Sequence, residues 1–127
     1  MRASAALVVV AVVASVVAFA VAQGAGAAST PKLIGVVGKN GAFTITLKNT
    51  RGKIVRSLSA GTYTIVVRDY SNFHNFELER EHHGRSRDLT DVDFVGSKTL
   101  RVTLTRGEYK VYCDPHESSM FQNFTVR

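Results

Sequence analysis

One cysteine occurs in this chain, Cys113, and it stands in the run Cys113-Asp114-Pro115-His116-Glu117-Ser118-Ser119-Met120. That short run offers a thiol, an imidazole and a thioether, soft and borderline donors of the kind that favour copper. The set needs one more strong donor, and His74, in Asn72-Phe73-His74-Asn75-Phe76, is the candidate for it. Zinc also takes Cys and His, but its structural sites use four strong ligands and Met is not among them. A two-imidazole, one-thiolate site also prefers Cu(II) in the divalent metal order.

These donors must be positioned by the elements between and around them. From Pro31 onward, short runs rich in Val, Ile, Thr, Tyr and Phe alternate with Gly, Asn and Asp clusters, the pattern of an all-β domain. Lys32 to Val37 predicts a first strand, and Gly38-Lys39-Asn40-Gly41 a turn in which Asn-Gly supplies positive φ. Phe43, Ile45 and Leu47 alternate with Thr44, Thr46 and Lys48, and Tyr63, Ile65 and Val67 share a face further on. His74, Phe76 and Leu78 form another period-2 set, which predicts that His74 points inward. Residues 79 to 91 are polar and aperiodic and read as a loop, and Val92 to Val95 as a short strand. Leu100, Val102 and Leu104 alternate, then Tyr109, Val111 and Cys113, so Cys113 ends the inward face of a strand. Phe124 and Val126 mark the last strand. About six to eight short strands with regular turns predict an antiparallel sandwich or barrel.

The chain has 127 residues, enough for one domain with a core that needs no disulfide. A lone cysteine forms no intrachain disulfide, and in an exported protein it calls for burial, a partner or a metal. Between Arg2 and Lys32 there is no charge, and the Ala/Val-rich stretch Ala5 to Ala22 ends in Ala20-Val21-Ala22. Residues 1–22 therefore read as a signal peptide cut before Gln23, with an N-terminal membrane anchor as the alternative, and either places the domain outside the cytoplasm. Residues 23–31 are small and uncharged and read as a flexible linker, leaving 32–127 as the folded domain. The formal charge of +6 comes from 16 Lys and Arg against 10 Asp and Glu. The basic residues are scattered rather than clustered, so no nucleic-acid partner is expected, and a solvated surface accounts for them.

The segment Gly107-Glu108-Tyr109-Lys110-Val111-Tyr112-Cys113-Asp114-Pro115-His116, with Met120 downstream and His74-Asn75 upstream, resembles the cupredoxin family, in particular its plastocyanin-like group. The resemblance covers about residues 32 to 127. It implies a Greek-key β-sandwich, one copper ion per chain held by His74, Cys113, His116 and Met120, and an Asn75 that ties the two ligand loops together. Plastocyanin has one more residue between the loop His and Met, a departure that bears on the axial Met and the redox potential. The expectation is a monomeric blue copper protein that is not an enzyme and passes single electrons between transiently bound redox proteins. The alternative with the same ligands is a module that carries or buffers copper for delivery.

Each residue also has a plainer reading. Cys113 fits a buried core thiol, His74 a satisfied strand histidine and Met120 a gap-filling core residue. It is their combination in one loop and one facing strand that points to a metal. A hydrolase is disfavoured: no third residue orients a Cys113–His116 pair, and no nucleophile-elbow motif is present. His82 and His83 read as exposed loop residues, because neighbours in an extended chain point to opposite sides. The sequon Asn123-Phe124-Thr125 reads as chance.

Overall fold

A computed structural model describes Gly26 and residues 29–127 of the chain; the signal or anchor segment 1–22 lies outside the described residues, as does most of the linker. Nine strands follow in order: β1 (Lys32–Val37), β2 (Ile45–Asn49), β3 (Ser57–Leu58), β4 (Gly61–Asp69), β5 (Phe76–Arg80), β6 (Arg85–Thr90), β7 (Gly96–Leu104), β8 (Gly107–Tyr112) and β9 (Phe121–Val126). Among the described residues the helices are two single 3-10 turns, Lys39–Gly41 and Asp114–His116, and none is long and apolar enough to cross a membrane.

The strands form two sheets packed face to face, β2-β1-β4-β7 and β3-β9-β8-β5-β6. This is the all-β sandwich that the alternating pattern predicts. Its sheets are mixed: β1 runs parallel to β4 and β3 parallel to β9, while the other pairings are antiparallel. The period-2 sets supply the core. Leu33, Ile45, Leu47, Ile65, Val67, Val102 and Leu104 from one sheet meet Phe76, Leu78, Leu89, Val111, Phe124 and Val126 from the other. Gly35 lies on the inner face of β1 because the Phe76 ring occupies the space a side chain would need; a Cβ there would stand 2.8 Å from Cζ.

Polar clamps close the sandwich where apolar packing ends. Gln122 Nε2 donates to the carbonyls of Leu47 and Val55, and its Oε1 accepts from Leu47 N–H, so β9 is stitched to β2 and its following segment. Thr90 on β6 donates to Asp69 Oδ2 on β4 at 2.6 Å and accepts from Phe76 N–H at 3.0 Å. That chain joins the sheets directly beneath the segment carrying His74.

Three local expectations are corrected. Residues 79 to 91 are not a loop: β5 runs to Arg80 and β6 occupies Arg85–Thr90, joined by a tight turn with His82 at φ 64°. β6 is an edge strand whose first four residues are exposed, so charges line it on both faces and erase the alternation. Val92 to Val95 form no strand, and Val95 is exposed. Phe43 does not join Ile45 and Leu47 on the inner face, since β2 begins only at Ile45 and the ring is 55% exposed.

One buried carboxyl makes stability depend on pH. Glu77 on β5 faces Asp88 of β6 across the ladder and accepts a hydrogen bond from Ser86 Oγ. Burial, and then the Asp88 carboxylate, push its pKa from 4.5 up to about 7. The folded state thus binds this proton more tightly than the unfolded chain. Its contribution to stability is fully present below pH 4.5, falls as pH rises through 7 and is absent above that. Glu77→Gln keeps a hydrogen-bonding group facing Asp88 without the charge. In urea unfolding it is expected to be more stable than the parent by about 1–3 kcal/mol at pH 8 and nearly equal to it at pH 4.5.

Candidate metal centre

His74, Cys113 and His116 meet at one end of the sandwich, with their donor atoms within 4.8 Å of one another. His74 lies just before β5, and Cys113 directly follows β8, which pairs with β5 so that Glu77 stands opposite Tyr112. The pairing therefore brings the ends of these two neighbouring strands side by side within one sheet, not across the sandwich from a facing strand as the sequence suggests. His74 and Cys113 are fully buried; His116 is half-buried.

The loop that returns His116 to Cys113 is closed by its own backbone. His116 N–H donates to Cys113 O at 3.0 Å, Met120 N–H to His116 O at 2.8 Å, and Cys113 N–H to Met120 O at 3.0 Å. Pro115 occupies the 3-10 turn Asp114–His116, where its fixed φ fits and its missing N–H costs nothing. Met120 is 1% exposed and belongs to the same buried cluster as Cys113. Asn75 Oδ1 accepts from Asp114 N–H at 2.7 Å, so the segment holding His74 is bound to the loop holding the other donors. Lys110, on β8, anchors the far side of that loop through Glu117 at 2.6 Å.

The two sulfur–nitrogen separations are those of donors sharing one ion, and the nitrogen–nitrogen separation is slightly shorter. His74 Nδ1 stands 3.1 Å from His116 Nδ1, and Cys113 Sγ lies 3.6 and 3.5 Å from those two nitrogens. Nitrogens at about 2.0 Å and a sulfur at about 2.3 Å from one ion stand roughly 3.3–3.8 Å apart in a trigonal or tetrahedral set. Both imidazoles thus present the same nitrogen toward one point. Burial, and then the neighbouring His116, lower the His74 pKa, which favours the neutral, ligating form. Burial pushes the Cys113 thiol up, against the lowering effect of the Asn75 and His116 backbone, and Asp69 and Asp114 raise it further. Burial thus favours the protonated thiol, and a cation bound there would favour the thiolate.

The surroundings hold the rings in place. Gly38, at φ 67°, brings the end of β1 against His74: a Cβ there would meet Ser71 Cβ at 2.6 Å and His74 Cδ2 at 3.1 Å. Phe73 lies 4.3 Å from the His74 ring centre. Phe43 approaches both imidazoles nearly edge-on, at 4.8 Å from His74 and 4.9 Å from His116. No sequence spacing pointed to Phe43. The available signal was topological, since the turn after β1 must fall at the end where β4 hands over to the His74 segment. His82 and His83 are exposed, in the turn after β5 that lies at the far end from this cluster.

No protein-family model matches this chain, and no curated protein matches it in sequence. Solved structures of similar fold are found. A methionine-to-glutamine variant of rusticyanin superposes with a TM-score of 0.54 at 14% identity, covering 76% of each chain. Reduced rusticyanin gives 0.53 at 18% identity over 76% of this chain and 78% of its own. Rusticyanin from Thiobacillus ferrooxidans gives 0.50 at 15% over 76% of each. Another of these structures is of the copper protein rusticyanin, at a TM-score of 0.53 and 13% identity.

Proposed function

We propose that this chain, whose fold is that of the cupredoxins, is an exported mononuclear blue copper protein that carries single electrons. The residues that would hold the ion are His74, Cys113 and His116, with the thioether of Met120, buried in the same cluster as Cys113, as a weaker fourth donor. The observation that carries the reading is the convergence of two imidazole Nδ1 atoms and one buried sulfur on a single point. Likeness to a copper protein of the same fold supports it.

Copper bound there would supply a couple between Cu(II) and Cu(I), whose preferred geometries differ. The residues of this chain limit how far the donors move between the two. Cys113 gives up its proton on ligation, and its sulfur stays seated by burial on all sides. Asn75 keeps the two ligand segments in register through Asp114 N–H, while Gly38 and Phe73 confine the His74 ring. His116, the least buried of the three, is the exit for the electron. Phe43, Phe73 and Phe121, each roughly half-exposed, surround that end with apolar surface. A redox partner docking there would make a small, wet and short-lived contact. On this reading the protein is a carrier rather than an enzyme.

Export rests on the uncharged stretch from Ala5 to Ala22. Titration of the reduced apoprotein with Cu(II) is expected to end at one ion per chain, with an intense visible band that reductant bleaches and oxidant restores. A weakly coloured, irreversible product would overturn the reading. Fast electron self-exchange with slow loss of Cu(I) to a chelator separates the electron carrier from a copper-delivery module, which would show the reverse.

A further inference from the structure

Charge on this molecule is divided along the strand direction. The metal cluster lies at the end where β1 finishes, β5 begins and β8 finishes. Charges at that end are mixed: exposed Lys39 and Arg68 and half-buried Lys98 accompany exposed Asp91, Asp93, Asp114 and Glu117. The opposite end is different. Lys32 opens β1, Arg51 and Lys53 flank the turn after β2, Arg56 precedes β3, Arg106 turns β7 into β8 and Arg127 follows β9. All six are exposed, and among the described residues none lies within salt-bridge distance of a carboxylate. The carboxylates toward that end are Glu108 and, at the end of β5, Glu79 and Glu81, which lie 3.5 and 3.7 Å from Lys110, the lysine that also holds Glu117.

The chain also leaves the sandwich at this basic end. Pro31 O accepts from Thr64 N–H beside the start of β1, and the residues before it run uncharged back to Arg2 through the apolar stretch Ala5 to Ala22. The linker of residues 23 to 30 reaches at most about 28 Å when extended. β4, with nine residues, spans about 26 Å from its first residue to its last. The linker and the strand are of similar length, and the chain emerges at the basic end, so a retained apolar segment in a bilayer would hold that end nearer the membrane.

We propose that the end of the sandwich opposite the metal cluster docks on a bilayer bearing anionic phospholipid, holding the His116 end outward toward soluble partners. Charge complementarity selects the lipid: unpaired Lys and Arg near such a surface are attracted individually, with a range set by salt. The direction in which the chain leaves selects the same face independently.

The test uses metal-free protein, so its outcome does not depend on the copper reading. The chain from Gln23 onward suits it, because among the described residues every core residue lies between Leu33 and Val126; the full chain is run beside it. Sedimentation with phosphatidylglycerol-containing vesicles is expected to capture about tenfold more protein than with pure phosphatidylcholine, and the difference to vanish in high salt. The triple variant Lys32→Glu, Arg51→Glu, Lys53→Glu is expected to lose about tenfold of that binding. Lys39→Glu, Arg68→Glu, Lys98→Glu changes net charge equally at the metal end and is expected to retain it. Equal capture by both lipids overturns the proposal, as does equal loss in both triple variants. Capture that tracks self-association without vesicles would assign the face to a second copy, and tighter binding to a soluble polyanion would assign it to that ligand; either result overturns it.

Discussion

Replacing Cys113 by serine is expected to abolish the intense visible absorption of the copper-loaded protein while leaving the sandwich folded. A blue copper site takes its character from the thiolate, with potential and colour tuned around the Cys sulfur. A serine hydroxyl keeps the size but not the chemistry, since it stays protonated near neutral pH and is a hard, weak donor. The position is fully buried, so the loss reflects ligation rather than altered solvent access. The cost in stability is small beside that effect. A buried hydroxyl without a full set of partners costs about 1–3 kcal/mol, and nearby backbone groups of Asn75 and His116 already interact with this side chain. Circular dichroism of the metal-free variant should match the parent, and its electron paramagnetic resonance with Cu(II) should show an ordinary tetragonal site or unbound ion. Undiminished colour in the serine variant would remove the sulfur from the ligand set.

The closeness of Cys113 and His116 was legible because they share one loop, where spacing alone keeps residues close; Met120, from the same loop, lies in the same buried cluster as Cys113. His74 was legible from its place in a period-2 set and from the family resemblance, since nothing local connects it to Cys113. What brings it there is the β5–β8 pairing, which short-range patterns do not encode. The same limit hid Phe43. Alternation with Ile45 and Leu47 placed it inward, but the register of a strand begins where pairing begins, and Val37 opposite Ile45 is the last partner on that side. The error over residues 79 to 91 has another cause. An edge strand exposed on both faces needs no alternation, and charges there protect it from pairing with other chains. Glu77 and Asp69 were invisible in the same way. Buried carboxyls look like surface carboxyls in a sequence until the hydrogen bonds that satisfy them, such as Thr90 to Asp69, are known.

The largest stability effect is expected at Phe76, two residues beyond His74. Its ring is fully buried and fills the inner face of β1 over Gly35, where a Cβ would meet Cζ at 2.8 Å and Cε2 at 2.9 Å. Phe76→Ala deletes that ring and leaves a cavity between the sheets, at a cost of about 3–5 kcal/mol. Gly35→Ala pushes a methyl group into the same ring from the other side, and such overpacking costs about 1–3 kcal/mol. The two should be strongly coupled because they compete for one volume. Without the ring, the methyl group added by Gly35→Ala enters empty space, so the double variant should be no less stable than Phe76→Ala alone. A double-mutant cycle by urea denaturation should therefore give a favourable interaction energy of about 1–3 kcal/mol. Strict additivity would mean that the ring moves aside freely when Gly35 is changed. The packing between β1 and the start of β5 would then be too loose to fix the position of His74.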